Sequence, residues 1–181
     1  MTKKNILSLF TDRYSCRAYD IRPVEKEKLD AVMAAACMAP SACNKQPWRY
    51  FVITETKLLD ELRQKAFGPP VSNKFVKEAP VLIAVGVKKD LVVHGIVPAI
   101  KGIPYQFIDV GISTDHLMLQ ATELGLATCW LGWFNIKAAE KILKLPSDIK
   151  LCGLISLGYP KDEPPQEKQR RPVNDTVRFI T

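Results

Sequence analysis

The sequence predicts a layered domain of the α+β class, with a sheet of about four short strands lying between helical layers. Three observations lead there. Segments with apolar residues at helical spacing alternate with short runs rich in β-branched and aromatic residues. One of those runs, Val81-Leu82-Ile83-Ala84-Val85-Gly86-Val87, is apolar throughout, as a strand covered on both faces requires. The chain has 181 residues, within the roughly 100–200 of one domain. We therefore expect residues 1–181 to form one domain, with 158–181 as its C-terminal arm.

The elements follow in order. Ile6, Leu7, Leu9 and Phe10 predict a short first helix, followed by a polar, basic segment over 11–20. Pro23 suits the opening of an amphipathic helix that places Leu29, Val32, Met33, Ala36 and Cys37 on one face. That helix must end near Ala39, because Pro40 disfavours helical backbone before it. A loop over 41–47 leads into a strand, Trp-Arg-Tyr-Phe-Val-Ile-Thr, at 48–54. Thr56 is placed to cap a helix carrying Leu58, Leu59, Leu62 and Ala66, stopped by Gly68-Pro69-Pro70. After the apolar strand comes a segment, 88–105, with two Gly, two Pro and no sustained period, read as a long loop bordering the functional site.

The longest helix is predicted over 106–124, with Phe107, Val110, Thr114, Leu117, Met118, Ala121 and Leu124 in phase and Gly125 as its left-handed cap. A strand at 127–131, a short helix at 137–143 and a strand at 151–157 complete the domain. The arm carries four prolines and cannot bury itself. Its apolar alternation at Val177, Phe179 and Ile180 predicts that it wraps another surface as an added strand.

Composition excludes several functions. Lys plus Arg number 26 against 19 Asp plus Glu, a net charge of +7. The basic residues are scattered, which argues against a nucleic-acid binder and fits a protein holding an anionic cofactor. No apolar run approaches the ~18 residues of a membrane span, and the N-terminus has no secretory pattern, so we expect a soluble cytoplasmic protein. Five cysteines without a Cys-x-x-Cys pair, and two distant histidines, indicate neither a disulfide framework nor a metal site. Cys37, Cys129 and Cys152 read as buried thiols.

Four constellations carry chemistry. Arg13 and Arg17 bracket Ser15 in a turn, and paired guanidiniums match phosphate oxygens, although so short a pattern also fits a solvated loop. Pro40, Ser41, Asn44, Gln46 and Pro47 form a stiff connection with amide side chains that both donate and accept, suited to the edge of a flat heterocycle. Trp48 and Trp130 are expected to pack structurally. Leu131-Gly132-Trp133 ends a strand where Gly132 lets backbone approach a ligand. Lys168 and Arg170 in the arm add charge.

In order and spacing these pieces resemble the FMN-dependent nitroreductases. The resemblance runs from Arg13-x-Ser15-x-Arg17 through Pro23-Val24 to Ala39-Pro40-Ser41-x-x-Asn44-x-Gln46-Pro47-Trp48. It continues with Glu123-Leu124-Gly125-Leu126, Leu157-Gly158-Tyr159-Pro160 and Lys168-x-Arg170-x-Pro172. It implies a three-layer sandwich with a mainly antiparallel sheet, and a homodimer whose arms exchange and whose two FMN sites lie at the interface. It implies FMN binding by Arg13, Tyr14, Ser15, Arg17, Pro40, Ser41, Asn44, Gln46, Leu131, Gly132, Trp133, Lys168 and Arg170, with no catalytic side chain and no metal. The implied activity passes reducing equivalents from NAD(P)H through the flavin to a nitroaromatic, quinone or similar acceptor by ping-pong kinetics. Reductive dehalogenation or flavin fragmentation on the same scaffold, or a non-enzymatic basic binding module, are the alternatives.

Overall fold

A computed structural model describes residues 5–68, 73–89, 102–165 and 167–180. Helix α1 (Ile6–Asp12) is capped by the Asn5 side chain, which accepts from Leu7 N–H at 3.2 Å. Helix α2 spans Lys26–Cys37, strand β1 Trp48–Ile53 and helix α3 Thr56–Lys65. Strand β2 (Val81–Lys88) precedes the longest helix, α4 (Tyr105–Glu123). Strand β3 (Ala127–Leu131), helix α5 (Ile136–Leu143), strand β4 (Ile149–Gly158) and the four-residue helix α6 (Val173–Thr176) follow.

The four strands form one sheet in the order β1-β2-β4-β3, and every neighbouring pair is antiparallel. β2 is central and buried along its length apart from Lys88, as its uninterrupted apolar sequence predicts. Its even and odd residues face opposite cores. Val81, Ile83, Val85 and Val87 pack with Val32 and Ala36 of α2 and Val110, Leu117 and Ala121 of α4. Leu82 and Ala84 pack with Leu59 and Leu62 of α3 and Ala139 of α5. The sheet is thus sandwiched between two helical layers. Between β2 and β4 the register shifts after Val85, which faces Gly153, while Gly86 faces Leu151. Cys152 is the extra residue of that bulge. The Trp130 ring lies against Gly153, where an added Cβ would come within 2.4 Å of the indole, so Trp130 packs across the strands as expected. Trp48 is buried in the core, also as expected.

Four local expectations need correction. α2 begins at Lys26, not Pro23. Arg22 stacks its guanidinium 3.6 Å from the Tyr159 ring centre, and Glu25 accepts from the Tyr159 hydroxyl at 2.5 Å. These contacts hold the entry segment extended until Lys26. Thr56 does not cap α3, because Glu55 still has extended backbone and Thr56 is already helical. Its hydroxyl is one position too far inside to reach the free amides. Cys37 is exposed, since Val32 and Ala36 define the buried side of α2 and Cys37 lies one residue round from it; Cys152 is half-buried and Cys129 buried. Phe107 is partly exposed, with the Lys150 ammonium 5.1 Å from its ring centre.

The end of α4 is as predicted. Gly125 takes φ +74°, and Leu126 N–H returns to Ala121 O at 2.8 Å. Much of the expected 88–105 loop lies outside the described residues. At the arm's end Phe179 and Ile180 are 89% and 98% exposed on this chain.

Candidate functional site

The basic turn after α1 runs alongside β3, the edge strand. Ser15 forms a parallel bridge with Thr128, and Cys16 N–H donates to Thr128 O at 3.0 Å. This brings Arg13, Ser15 and Arg17 around Cys129. Burial pushes the Cys129 thiol up, and Arg17, Arg13 and a Ser15 hydrogen bond pull it back. Tyr14 reaches the other way, donating to Asp162 O at 3.0 Å, with burial pushing its hydroxyl up.

The arm then returns to the same place. Lys168 Nζ donates to Phe10 O at 2.5 Å and to Arg13 O, both carbonyls at the end of α1. Burial, Arg13 and Arg170 together hold the Lys168 ammonium below its ordinary range, against the opposing pull of Asp12. Residues 155 positions apart are thus gathered into one cationic group. Among the described residues, none of Arg13, Arg17 and Arg170 makes an ion pair with a carboxylate. The hydroxyl of Thr128, buried beside Ser15, has no hydrogen-bond partner among them either. Concentrated positive charge with an orphaned hydroxyl fits a ligand bearing a phosphate and a polyol chain.

The second group is the connection from α2 to β1. Ser41 is extended, and a single 3₁₀ turn, Ala42–Asn44, follows. Cys43, Asn44 and Gln46 all have positive φ, at 51°, 54° and 47°. Such backbone is tolerated by Asn44 but disfavoured for Cys43 and Gln46, and strain of that kind gathers at functional sites. Ser41 Oγ accepts from Gln46 N–H at 2.9 Å, and Gln46 Nε2 donates to Asn44 Oδ1 at 3.1 Å. Asn44 and Gln46 are exposed and held in one orientation, while Pro40 is exposed and Pro47 buried. Asp109 of α4 accepts from Ala42 N–H at 3.1 Å.

The third group is the bend after β3. Leu131 is buried, Gly132 is exposed, and Trp133 is 72% exposed. Asn73 Nδ2 donates to Trp133 O at 3.1 Å, and Phe134 anchors the bend by packing on Phe67, ring centres 5.9 Å apart. Along the sheet this bend and the cationic group share β3, whereas the 41–46 loop enters β1 at the opposite edge. Those edges are three strand spacings apart, about 14 Å.

Comparison with known proteins decides the family. A family model described as the nitroreductase family matches residues 10–159. This chain belongs to the nitroreductase family. A solved nitroreductase family protein from Clostridium difficile is 37% identical, with a TM-score of 0.84 over 98% of this chain and 99% of that one. A solved protein from Exiguobacterium sibiricum in complex with FMN is 25% identical, with a TM-score of 0.81 over 99% of both chains. An NADH dehydrogenase of Thermus thermophilus is 30% identical, covering 83% of this chain and 84% of its own. An iodotyrosine deiodinase of Thermotoga neapolitana is 26% identical, covering 98% and 99%.

Within this nitroreductase-family chain the three motif groups are brought to two places, not one. Sequence reasoning also missed Asp109. Its signal was present: Asp109 and Ser113 stand four residues apart on the side of α4 that continues to Leu117 and Ala121, and a carboxylate in a buried stripe needs a partner. Among the described residues no group of three or more His, Cys, Asp or Glu is placed to hold a metal ion, and no helix is long and apolar enough to cross a membrane.

Proposed function

We propose that this nitroreductase-family protein is a cytoplasmic FMN oxidoreductase that takes electrons from NAD(P)H and passes them to a nitroaromatic, quinone or similar acceptor. The observation that carries the reading is the cationic group of Arg13, Arg17, Lys168 and Arg170, which no carboxylate neutralises by a direct ion pair among the described residues. Arg13, Arg17, Lys168 and Arg170 hold the phosphate, and Ser15 and Tyr14 flank it. Leu131, Gly132 and Trp133 present backbone to the flavin ring. Pro40 and Ser41 set the stiff loop from which Asn44 and Gln46 offer amides to the ring and ribityl edge. When bound, FMN supplies the two-electron chemistry; the protein binds, orients and tunes it. No side chain serves as a catalytic acid or base, and both substrates use one open face in turn.

The separation of the two edges supports a homodimer in which the 41–46 loop of one chain completes the site of the other. Exposed apolar residues support it too: Ile6, Leu7 and Phe10 on α1, and Ile108 and Ile112 on α4. Val177, Phe179 and Ile180 then pack as an arm on the partner. On this reading residues 1–181 act as one domain.

A second reading, reductive dehalogenation, is supported by the similarity to the deiodinase along nearly its full length. The test is a visible spectrum of the purified protein, then anaerobic titration with NADH and NADPH, then turnover with nitro, quinone and halogenated acceptors. We expect a yellow protein bleached by a nicotinamide. A colourless protein that takes up no added FMN sinks the flavin reading, and turnover confined to halogenated acceptors replaces the first reading with the second.

A further inference from the structure

Asp109 lies in the second turn of α4 and is only 4% exposed. One carboxylate oxygen accepts from Ala42 N–H at 3.1 Å. The other is buried without a hydrogen-bond partner among the described residues, as is Oε1 of Gln106 one turn earlier. Burying a carboxylate with half its acceptors unused is costly, so something must be gained by keeping it there.

The gain lies in the loop. Ala42 opens the 3₁₀ turn, and the residues after it, Cys43, Asn44 and Gln46, hold left-handed backbone that L-residues avoid. The bonds from Asn44 N–H to Ser41 O, Lys45 N–H to Ala42 O and Gln46 N–H to Ser41 Oγ are internal to the loop. They shape it, and Arg49 Nη1 of β1 donates to Gln46 O at 3.1 Å at its far end. The Ala42–Asp109 bond ties that shape to α4, which is packed in the core.

We propose that Asp109 is a positioning residue for the flavin: acting through Ala42, it fixes the 41–46 loop in the conformation that presents Asn44 and Gln46. The inference rests on the flavin reading above. Without the tie, the Ala42 end of the loop shifts relative to α4 while the Gln46 end stays bonded to Arg49, and FMN binding must restore the alignment at the expense of affinity.

The test uses the full-length chain stripped of flavin, with FMN affinity measured by quenching of flavin fluorescence. Asp109→Ala should bind FMN about 5- to 50-fold more weakly than the parent. Asp109→Asn keeps an oxygen that accepts from Ala42 and should stay within about threefold of the parent. The visible band of bound flavin should match the parent in Asp109→Asn and move in Asp109→Ala. If Asp109→Ala does not fold, Ala42→Pro removes the donor instead. Ser41, at φ −146° and ψ 156°, already has the backbone that precedes proline. It should show the same loss. Parent-like affinity in Asp109→Ala or Ala42→Pro overturns the proposal. So does an Asp109→Asn as weak as Asp109→Ala, since the second oxygen or the charge would then be what matters. A parent that binds no FMN overturns the flavin reading itself, so the two failures are distinguishable.

Discussion

At the β3 edge the proposed site is made of charge. Arg13, Arg17, Lys168 and Arg170 converge there from two ends of the chain, and carbonyls at the end of α1 hold the lysine in place. At the β1 edge the proposed site is made of backbone. Three residues with positive φ, two oriented amides and one buried carboxylate set a fixed shape. Charges bind an anion strongly but specify little about its orientation. A stiff loop contributes less energy and fixes geometry. The comparison predicts that damage at the β3 edge empties the site, whereas damage at the β1 edge alters how it is filled.

The largest break follows from removing residues 167–181. Tyr14 keeps its bond to Asp162, and Tyr159 keeps its contacts with Arg22 and Glu25, so the domain retains these anchors. Lys168, Arg170 and the apolar end of the arm are lost together. Two charge-assisted contacts at roughly 1.5–3 kcal/mol each give a loss above about 100-fold in FMN affinity. Light scattering should show a monomer, and dialysis should leave the protein colourless. A truncated protein that is yellow and dimeric would separate the arm from both tasks.

Arg17→Ala comes next. Arg17 is exposed and pairs with no carboxylate among the described residues, so its removal should leave the melting temperature within about 2 °C of the parent. FMN affinity should fall about 10- to 100-fold. Equal flavin content after dialysis would remove Arg17 from the site.

The two edges also differ in how much of them the sequence discloses. The strands were legible because β-branched and aromatic runs have few other uses, and β2 had to be central because both its faces are apolar. Arg13, Ser15 and Arg17 are close in sequence, so their convergence is local. Lys168 joins them from 155 residues away, a contact no periodicity reveals, and only the family resemblance placed it there. The strain of the 41–46 loop was equally hidden. Cys43 and Gln46 are not residues that announce left-handed backbone, and the bonds to the loop from Asp109, Ser41 and Arg49 come together only in the fold. The start of α2 is hidden from the sequence for the same kind of reason. Pro23 is a sound first helical residue in isolation, but Tyr159, from the far end of the domain, takes Arg22 and Glu25 for itself.

Lys168 gives the pH dependence. Burial first, then Arg13 and Arg170, lower its pKa from 10.5 in the free protein, whereas the unfolded chain keeps the ordinary value. Between the lowered value and 10.5 the unfolded state binds more protons, so this group makes the free protein more stable as pH rises through that window. A phosphate dianion reverses the balance by favouring the charged ammonium. FMN binding then takes up a proton, and affinity falls as pH climbs toward 10.5. Lys168→Met should weaken FMN about 10- to 100-fold near neutral pH and flatten that alkaline fall. Titrations of both proteins at several pH values check it; parallel slopes would mean that another group carries the proton.

The smallest effect on binding belongs to the β1 edge and tests whether its strain is stored for shape alone. Cys43 has φ 51° and is exposed, with its shape imposed by the turn around it. Glycine adopts that backbone without the Cβ clash, a relief of roughly 1–2 kcal/mol. Part is returned because glycine leaves the unfolded chain more freedom, by about 0.4–1 kcal/mol. The net gain of about 0.5–1 kcal/mol should raise the melting temperature of the flavin-free protein by ~1–4 °C. Cys43 offers the ligand no charge, and Asn44, Gln46 and the Asp109 tie remain, so FMN affinity should stay within about twofold of the parent. A stabilised Cys43→Gly that loses FMN would show that the cysteine side chain itself touches the ligand. A destabilised one would show that its packing outweighs its backbone, and the β1 edge would then be held by side-chain contacts as the β3 edge is.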